Sequence, residues 1–407
     1  MSAGSRRGRG EGSIIRLADG RWQARVDLGW HDGRRRRKAL YGLTRKVVAA
    51  KLTKALRDQQ QGVPLGDGRQ TLGPYLDQWL TVVVKPGVRA KTHHSYAQLV
   101  RLHLTPSLGH LRLARLEPVH VETFLEEKRK AGLSPRTCQY LRAVLRRALG
   151  RALKHGLVAR NAAALADPPR GVRTIVQSLA PQQARVFLAA VSEHRLYPLL
   201  AVGLGLGLRQ GEILGLTWAD VDLDRGVLQV RQALERLGKG WRRVEPKSEQ
   251  SRRTLKLPSE LLPILRAHRT SQLEARLAAG GLWKDHGFVF TSRYGEPLDG
   301  PRLNRQTKAL LRGTWIGGLP DCKHSQISDR KCLDCQGEHL PVLHFHSLRH
   351  SCASFLLAQG VPARVVMEIL GHSDIRLTLN TYSHVGQELQ EEAARQMNAV
   401  LWSGSKA

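Results

Sequence analysis

The sequence predicts an α+β protein, mainly helical, built in three successive parts. Residues 14–42 alternate apolar and polar side chains between glycine-containing turns, the period-two pattern of strands. From Thr71 to about residue 165 apolar residues recur at helical spacing, with recognisable caps. The remainder, to about Leu401, mixes helical segments with strand-like "VDLDRGVLQVRQA" and "SRRTLKLP". A chain of 407 residues exceeds one ordinary domain, and two or three are expected.

Residues 1–13 form a Gly/Arg-rich tail, expected to be disordered. Residues 14–62 then read as a small domain. Turns at Asp19-Gly20 and Asp32-Gly33 separate three short strands, and "TRKVVAAKLTKALRDQQQG" follows as one helix stopped by Gly62. The unit is very basic: Met1 to Gln60 carries 16 Lys/Arg against 5 Asp/Glu. Arg34, Arg35, Arg36 and Arg37 form its densest run and are candidate DNA contacts. "VPLGDGRQ" reads as a linker.

Residues 71–165 read as a helical domain. Its clearest helix is "SPRTCQYLRAVLRRALGRALKHG", with Ser134 as cap, Pro135 at the first helical position and Gly156 at the end. Cys138, Leu141, Leu145 and Ala152 mark its apolar stripe. Arg142, Arg146 and Arg147 lie off the stripe, either on a solvated face or in contact with phosphates; the charge of the chain favours phosphates. "ADPPRGVRTIVQS" is a Pro/Gly linker into the last part, residues 175–401.

The charge narrows the function. Lys and Arg number 65 against 34 acids, a formal net charge of +31, and a chain this basic is expected to bind a polyanion, nucleic acid above all. No apolar run reaches the roughly 18 residues that would span a bilayer. The polar N-terminus lacks the apolar stretch of a secretory signal, and five cysteines in a chain this long do not make a disulfide framework. The expected location is the cytoplasm.

Four stretches of the last part carry chemistry. "GLGLRQGEILGLTWADVD" holds Arg209 and, one helical turn on, Glu212. "VEPKSEQSRRTLKLP" reads as strand–turn–strand with Lys247 near its tip. "LHFHSLRHSCASFLLAQG" puts His346 and Arg349 on one helix face. "VVMEILGHSDIRLTLNTYSHV" has His372 just after a glycine turn and Tyr382 ten residues later. Two guanidiniums can grip a phosphodiester bidentately, a lysine can protonate a departing oxygen, and a tyrosine hydroxyl is a usable nucleophile when a base or cations assist it. Neither a carboxylate pair suited to Mg²⁺ nor a glycine-rich nucleotide loop is present, so catalysis needs no ATP and no metal.

These stretches resemble the tyrosine recombinases of the phage integrase family. "GLRQGEILGL" is similar to the family's first box, "HFHSLRHSCA" to the second, and "LGHSDIRLTLNTYSHV" to the segment ending in the nucleophile. The resemblance covers essentially the whole chain. It implies an arm-type DNA-binding domain over residues 14–62, a helical core-binding domain over 71–165 and a mixed, mostly helical catalytic domain over 175–401. It further implies that Arg209 and Arg349 clamp the scissile phosphate and that Lys247 protonates the 5′-oxygen. His346 would assist deprotonation of the nucleophile, His372 would bond the phosphate, and Tyr382 would form a 3′-phosphotyrosyl link. Ser347 stands where the family usually has Asp. The implied partners are double-stranded DNA with core-type and arm-type sites, a homotetramer passing through a Holliday junction, and an accessory directionality factor. An Xer-like resolvase of DNA dimers and a non-catalytic zinc-containing regulator are the alternatives; the small N-terminal domain favours an integrase.

One stretch does not belong to that pattern. "CKHSQISDRKCLDC" lies in an insertion, residues 321–341, just ahead of His346. Cys322, His324, Cys332 and Cys335 can make a closed tetrahedral zinc site of the structural kind, with His339 as a substitute ligand. The alternative is a flexible loop with exposed thiols. The amphipathic segment "GQELQEEAARQMNAVLW" near the C-terminus is expected to pack on its own domain or on a neighbouring protomer.

Overall fold

The computed structural model describes residues 13–31, 34–60, 70–168, 171, 177–238, 240–246, 251–317, 327–328, 331–332, 337–375, 395 and 397–398. The chain is mainly helical with small antiparallel sheets, as the patterning predicts. It divides into two compact units, Met1–Arg173 and Thr174–Ala407.

The first unit begins with a three-stranded sheet. β1 (Ser13–Arg16), β2 (Trp22–His31) and β3 (Arg34–Gly42) pair in sequence order. The period-two alternation places Ala24 and Val26 of β2 inward, against Val48, Leu52 and Ala55 of α1 (Arg45–Gln60). Arg34, Arg35 and Arg37 lie on β3 opposite His31, Trp30 and Asp27, with a register shift between the last two pairs. Arg36 lies within the same run of β3, and the Arg37 side chain is exposed.

A helical bundle follows. α2 (Leu72–Trp79) runs through a π-helical turn, Leu80–Val84, into α3 (Lys85–Gly87); α4 (Ala90–Leu99) does the same through Val100–Leu104 into α5 (Thr105–Leu108). α6 (Pro118–Lys130), α7 (Pro135–Lys154) and the short α8 (Ala162–Leu165) complete it. Ser134 Oγ accepts the Thr137 N–H at 3.2 Å, and Cys138, Leu141, Leu145 and Ala152 are all buried. Tyr75 anchors α2 to α7 by donating its hydroxyl to the Ala148 carbonyl at 2.7 Å.

The basic residues of α7 divide. Arg142 donates to the carbonyls of Ala166 and Ala164, at 2.9 and 3.1 Å, and so ties down the end of α8. Arg147 lies over the Tyr96 ring and donates to its hydroxyl. Arg146 is exposed.

The second unit is built round α10 (Tyr197–Leu206), apolar on every side and buried along most of its length, as a central helix must be. α9 (Pro181–Ala190), α11 (Gln210–Leu214), α12 (Leu261–Ala279), α13 (Gly300–Arg312), α14 (Phe345–Ala358) and α15 (Ala363–Leu370) accompany it. β4 (Val221–Asp222), β5 (Val227–Val230) and β8 (Arg253–Lys256) form one antiparallel sheet, and β6 (Ala233–Leu237) with β7 (Gly240–Val244) form a hairpin between β5 and β8.

A hairpin precedes the stretch that carries Lys247. Leu237 pairs with Gly240, so the turn between β6 and β7 lies at Gly238, with a left-handed φ of 61°. The "LGKG" stretch was the turn signal. Lys247 falls in the connection from β7 to β8, in residues 247–250, outside the described residues.

The insertion contributes strands. β9 (Trp315–Ile316), β10 (Ile327–Ser328), β11 (Lys331–Cys332) and β12 (Glu338–His339) make a small sheet in the order β10-β11-β12-β9. The His339 ring lies against Trp315, with centroids 3.5 Å apart. Cys322, His324 and Cys335 lie outside the described residues, as do Tyr382 and all but three residues of the C-terminal segment.

Candidate active site

The site grows from two helix ends. α10 stops at Gly207 and α15 stops at Gly371, both left-handed, with φ of 61° and 66°. A helix end leaves carbonyls without intrahelical partners. At α15 two of them are satisfied locally: Met367 accepts from the His372 N–H and Glu368 from the Gly371 N–H. The next three accept from three different arginines. Arg253 Nε donates to the Ile369 carbonyl at 2.6 Å, Arg349 Nη2 to Leu370 at 2.7 Å and Arg209 Nη2 to Gly371 at 2.5 Å. Arg349 uses its other amino group on the Gly207 carbonyl at 2.8 Å, so it bridges the two helix ends. Cations at helix C-termini meet the negative end of the dipole.

Each arginine comes from a separate element. Arg209 is the residue before α11, and its backbone N–H donates to Glu212 in that helix's first turn. Its Nη1 donates to Glu212 Oε1 at 2.7 Å and to Ser251 Oγ at 3.4 Å. Arg349 is in α14 and only 2% exposed. Arg253 opens β8, and its Nη2 donates to Glu212 Oε2 at 3.0 Å. Glu212 is thus a buried carboxylate held between two guanidiniums. Burial alone would raise its pKa; the Arg253 and Arg209 charges and hydrogen bonds outweigh burial and keep it below the ordinary carboxylate value.

Three histidines complete the cluster. His346, in the first turn of α14, keeps an exposed edge, yet desolvation and then the Arg349 and Arg209 charges lower its pKa. His350 meets it edge to face, with ring centroids 4.9 Å apart. Burial, followed by His346 and Arg349, pushes His350 down to about 4; burial, followed by Arg349 and Arg209, does the same to His372. All three rings are neutral at pH 7. The Cys352 thiol, buried behind Arg349, is pushed up to about 12 and is a packing group, not a nucleophile.

Arg209, His346, Arg349 and His372 therefore share one site, while Lys247 and Tyr382 of the sequence-predicted set lie outside the described residues. A cavity of about 560 Å³ adjoins the site, lined by Arg252, Arg253, Arg364, Glu368, His372 and Asp374 among others. Among the described residues no group of three His, Cys, Asp or Glu could hold a metal ion.

Sequence reading missed two supports. Arg253 appeared only as part of a strand, although it shares a face with the buried Leu255 and Leu257 at period two; a cation on a core face needs an acid, and Glu212 is that acid. Asn304 of α13 was not singled out. Its Oδ1 accepts the Phe345 N–H at 3.1 Å, capping α14 where His344 makes no side-chain cap, and its Nδ2 reaches Gln210 at 3.4 Å.

Known proteins share both sequence and architecture. Residues 177–388 match the phage integrase family, and residues 71–129 match its N-terminal SAM-like domain. An integrase of Streptomyces ambofaciens is 29% identical, with 98% of each chain covered. A XerC-like tyrosine recombinase of Caldanaerobacter subterraneus is 28% identical over 91% of this chain and 93% of its own length. The Tn1549 transposon integrase, solved with a circular-intermediate DNA, is similar in fold, with a TM-score of 0.65 at 20% identity over 81% of this chain and 99% of that one. A lambda integrase tetramer on a Holliday junction is similar at a TM-score of 0.56 and 16% identity, over 94% of this chain and 98% of that one. The family match spans the helix ends, the arginines and the histidines together, and the chain belongs to the phage integrase family: it is a tyrosine recombinase, an enzyme that breaks and rejoins DNA at specific sites.

Proposed function

We propose that the chain integrates, and also excises, a phage or other mobile element, using Tyr382 as nucleophile. The tethering of Arg209 and Arg349 to successive carbonyls, Gly371 and Leu370, carries this reading, because it brings two guanidiniums to one place beside His372, the pairing that grips a phosphodiester. Tyr382 Oη attacks phosphorus and passes its proton to the neutral His346. The bond to the 5′-oxygen breaks as Lys247 protonates it. A 3′-phosphotyrosyl link remains, so the energy of the phosphodiester is kept for rejoining, and neither ATP nor a metal enters the chemistry. Arg209, Arg349 and His372 bear the charge of the non-bridging oxygens.

Incubation with a nicked core-site duplex tests this. The wild type is expected to trap a covalent protein–DNA adduct whose modified peptide contains Tyr382, and Tyr382→Phe to trap none. An adduct that survives Tyr382→Phe refutes the assignment.

The small sheet-and-helix module at the N-terminus and its basic run Arg34–Arg37 support arm-site binding, with exposed Arg146 and Arg147 reading core-site phosphates. Deleting residues 1–65 is expected to spare core-site cleavage and impair integration. A DNA substrate of this kind implies work in the cytoplasm, as a tetramer on two duplexes and with an accessory factor setting direction. The pairing of Ile327 with Cys332 supports a zinc knuckle held by Cys322, His324, Cys332 and Cys335, because it puts Cys332 at the base of a tight hairpin. Bound zinc is expected in the wild type and lost in Cys332→Ser and Cys335→Ser; a zinc-free wild type refutes it.

A further inference from the structure

We propose that Arg253 is a positioning residue for strand cleavage, acting on Arg209 through Glu212; the inference rests on the reading of Arg209 as part of the phosphate clamp. The Arg253 side chain is 7% exposed. Its three donating nitrogens face three different parts of the site: Nε to the Ile369 carbonyl at 2.6 Å, Nη2 to Glu212 Oε2 at 3.0 Å and Nη1 to the Ser251 carbonyl at 3.0 Å. Ile369 lies in the last turn of α15, the helix that leads into His372. Ser251 is the fourth residue after Lys247, and its hydroxyl accepts from Arg209. One planar guanidinium thus joins the α15 end, the segment just ahead of β8 and the first box. A lysine could not satisfy three acceptors spread round a plane in the same way.

The charge balance gives this contact a consequence for catalysis. Glu212 is 4% exposed and bonds both Arg209 and Arg253. Two guanidiniums and one carboxylate leave a net positive charge to meet the phosphate. Without Arg253, Glu212 faces Arg209 alone. That pair is neutral as a unit, and the carboxylate draws Arg209 away from the substrate. Arg253 touches no substrate in this scheme; it determines how much of the Arg209 charge the phosphate feels.

The test is single-turnover cleavage of the nicked core-site duplex, with DNA affinity and thermal melting measured on the same proteins. Arg253→Met is expected to slow adduct formation by about 100-fold, the scale of a misplaced clamp. Core-site affinity should change little, since one phosphate of many is affected. The decisive variant is Glu212→Gln/Arg253→Met. Removing the carboxylate frees Arg209, so the double variant should cleave about tenfold faster than Arg253→Met alone, a coupling well within reach of a shared ion network. A purely structural role predicts a double variant no faster than the single one, and that outcome overturns the proposal, as does an Arg253→Met enzyme that cleaves at the wild-type rate. If Arg253→Met melts below the assay temperature, Arg253→Gln, also uncharged, takes its place in the same comparison, with the same two refuting outcomes. The wild-type adduct in the same gel keeps the two questions apart. Its absence, or its formation on another residue, counts against the Tyr382 reading, whereas its presence beside an unimpaired Arg253 variant counts against this inference alone.

Discussion

Gly207→Ala probes the helix end that holds Arg349. Gly207 has a φ of 61°, where a Cβ is strained by about 1–2 kcal/mol. A Cβ here would also meet Leu370 Cδ2 at 2.5 Å and Cys352 Sγ at 3.2 Å. Leu370 is fully buried and cannot swing aside, so overpacking adds about 1–3 kcal/mol. The sum, about 2–5 kcal/mol, corresponds to a melting drop of roughly 10 °C in a unit of this size. Function should suffer further. The Gly207 and Leu370 carbonyls are the two tethers of Arg349, and the clash pushes them apart. A cleavage loss of about 100-fold at 25 °C is expected. Gly238→Ala is the control, because its φ is also 61° but nothing lies within 4 Å of its Cβ. It should show the strain alone, about 1–2 kcal/mol. Melting followed by calorimetry, with adduct formation on nicked DNA, measures both. Equal melting drops for Gly207→Ala and Gly238→Ala would refute the packing argument, and unchanged cleavage in a folded Gly207→Ala would refute the tether.

Three further outcomes follow from the same contacts. Glu212→Gln should destabilise the catalytic unit by about 3 kcal/mol at pH 7, because Arg253 loses its buried counter-charge. Since the folded Glu212 has a lowered pKa, its stabilisation is present above the ordinary carboxylate value and lost as pH falls through the folded one. Acid titration of melting should therefore be flatter in the variant, and a parallel curve would contradict this. His350 and His372, lowered from about 6.5 to about 4, stay neutral in the folded chain while the unfolded chain takes up protons. Stability should fall between pH 6.5 and 4, at most by about 1.4 kcal/mol per pH unit for each ring. A bound phosphate favours imidazolium, so calorimetry in two buffers near pH 5.5 should detect proton uptake on DNA binding. Tyr75→Phe removes the buried hydroxyl bond to Ala148 and should cost about 1–2 kcal/mol, read from melting of the helical bundle.

Much of the site was legible because its parts are local. Arg209 precedes a helix start, His346 and Arg349 lie three residues apart on one helix face, and His372 follows a glycine stop; each relation is a spacing of a few residues. What joins them is not. Ile369, Leu370 and Gly371 attract arginines from three elements as much as 162 residues away in sequence, and no local pattern encodes that meeting. Arg142 is the converse case. Its place off the apolar stripe of α7 was read correctly, yet its guanidinium ties the end of α8, since side-chain reach and not helix phase decides what an exposed cation finds.

The α15 end also explains how three guanidiniums can crowd one place without substrate. Like charges this close repel, and burial deepens the cost. Three carbonyl dipoles at the negative end of a helix, together with the Glu212 carboxylate, offset that repulsion in the free enzyme. Two donors of Arg349 are committed to Gly207 and Leu370, which determines the plane of the guanidinium. The positive charge of these guanidiniums is thus held in place at the helix end in the ligand-free chain. That is preorganisation in the sense that matters for phosphoryl transfer, where the protein's main task is to hold positive charge in place before the bond breaks. His372 leaves the same helix end, so the element that aligns the arginines also delivers the segment leading to Tyr382.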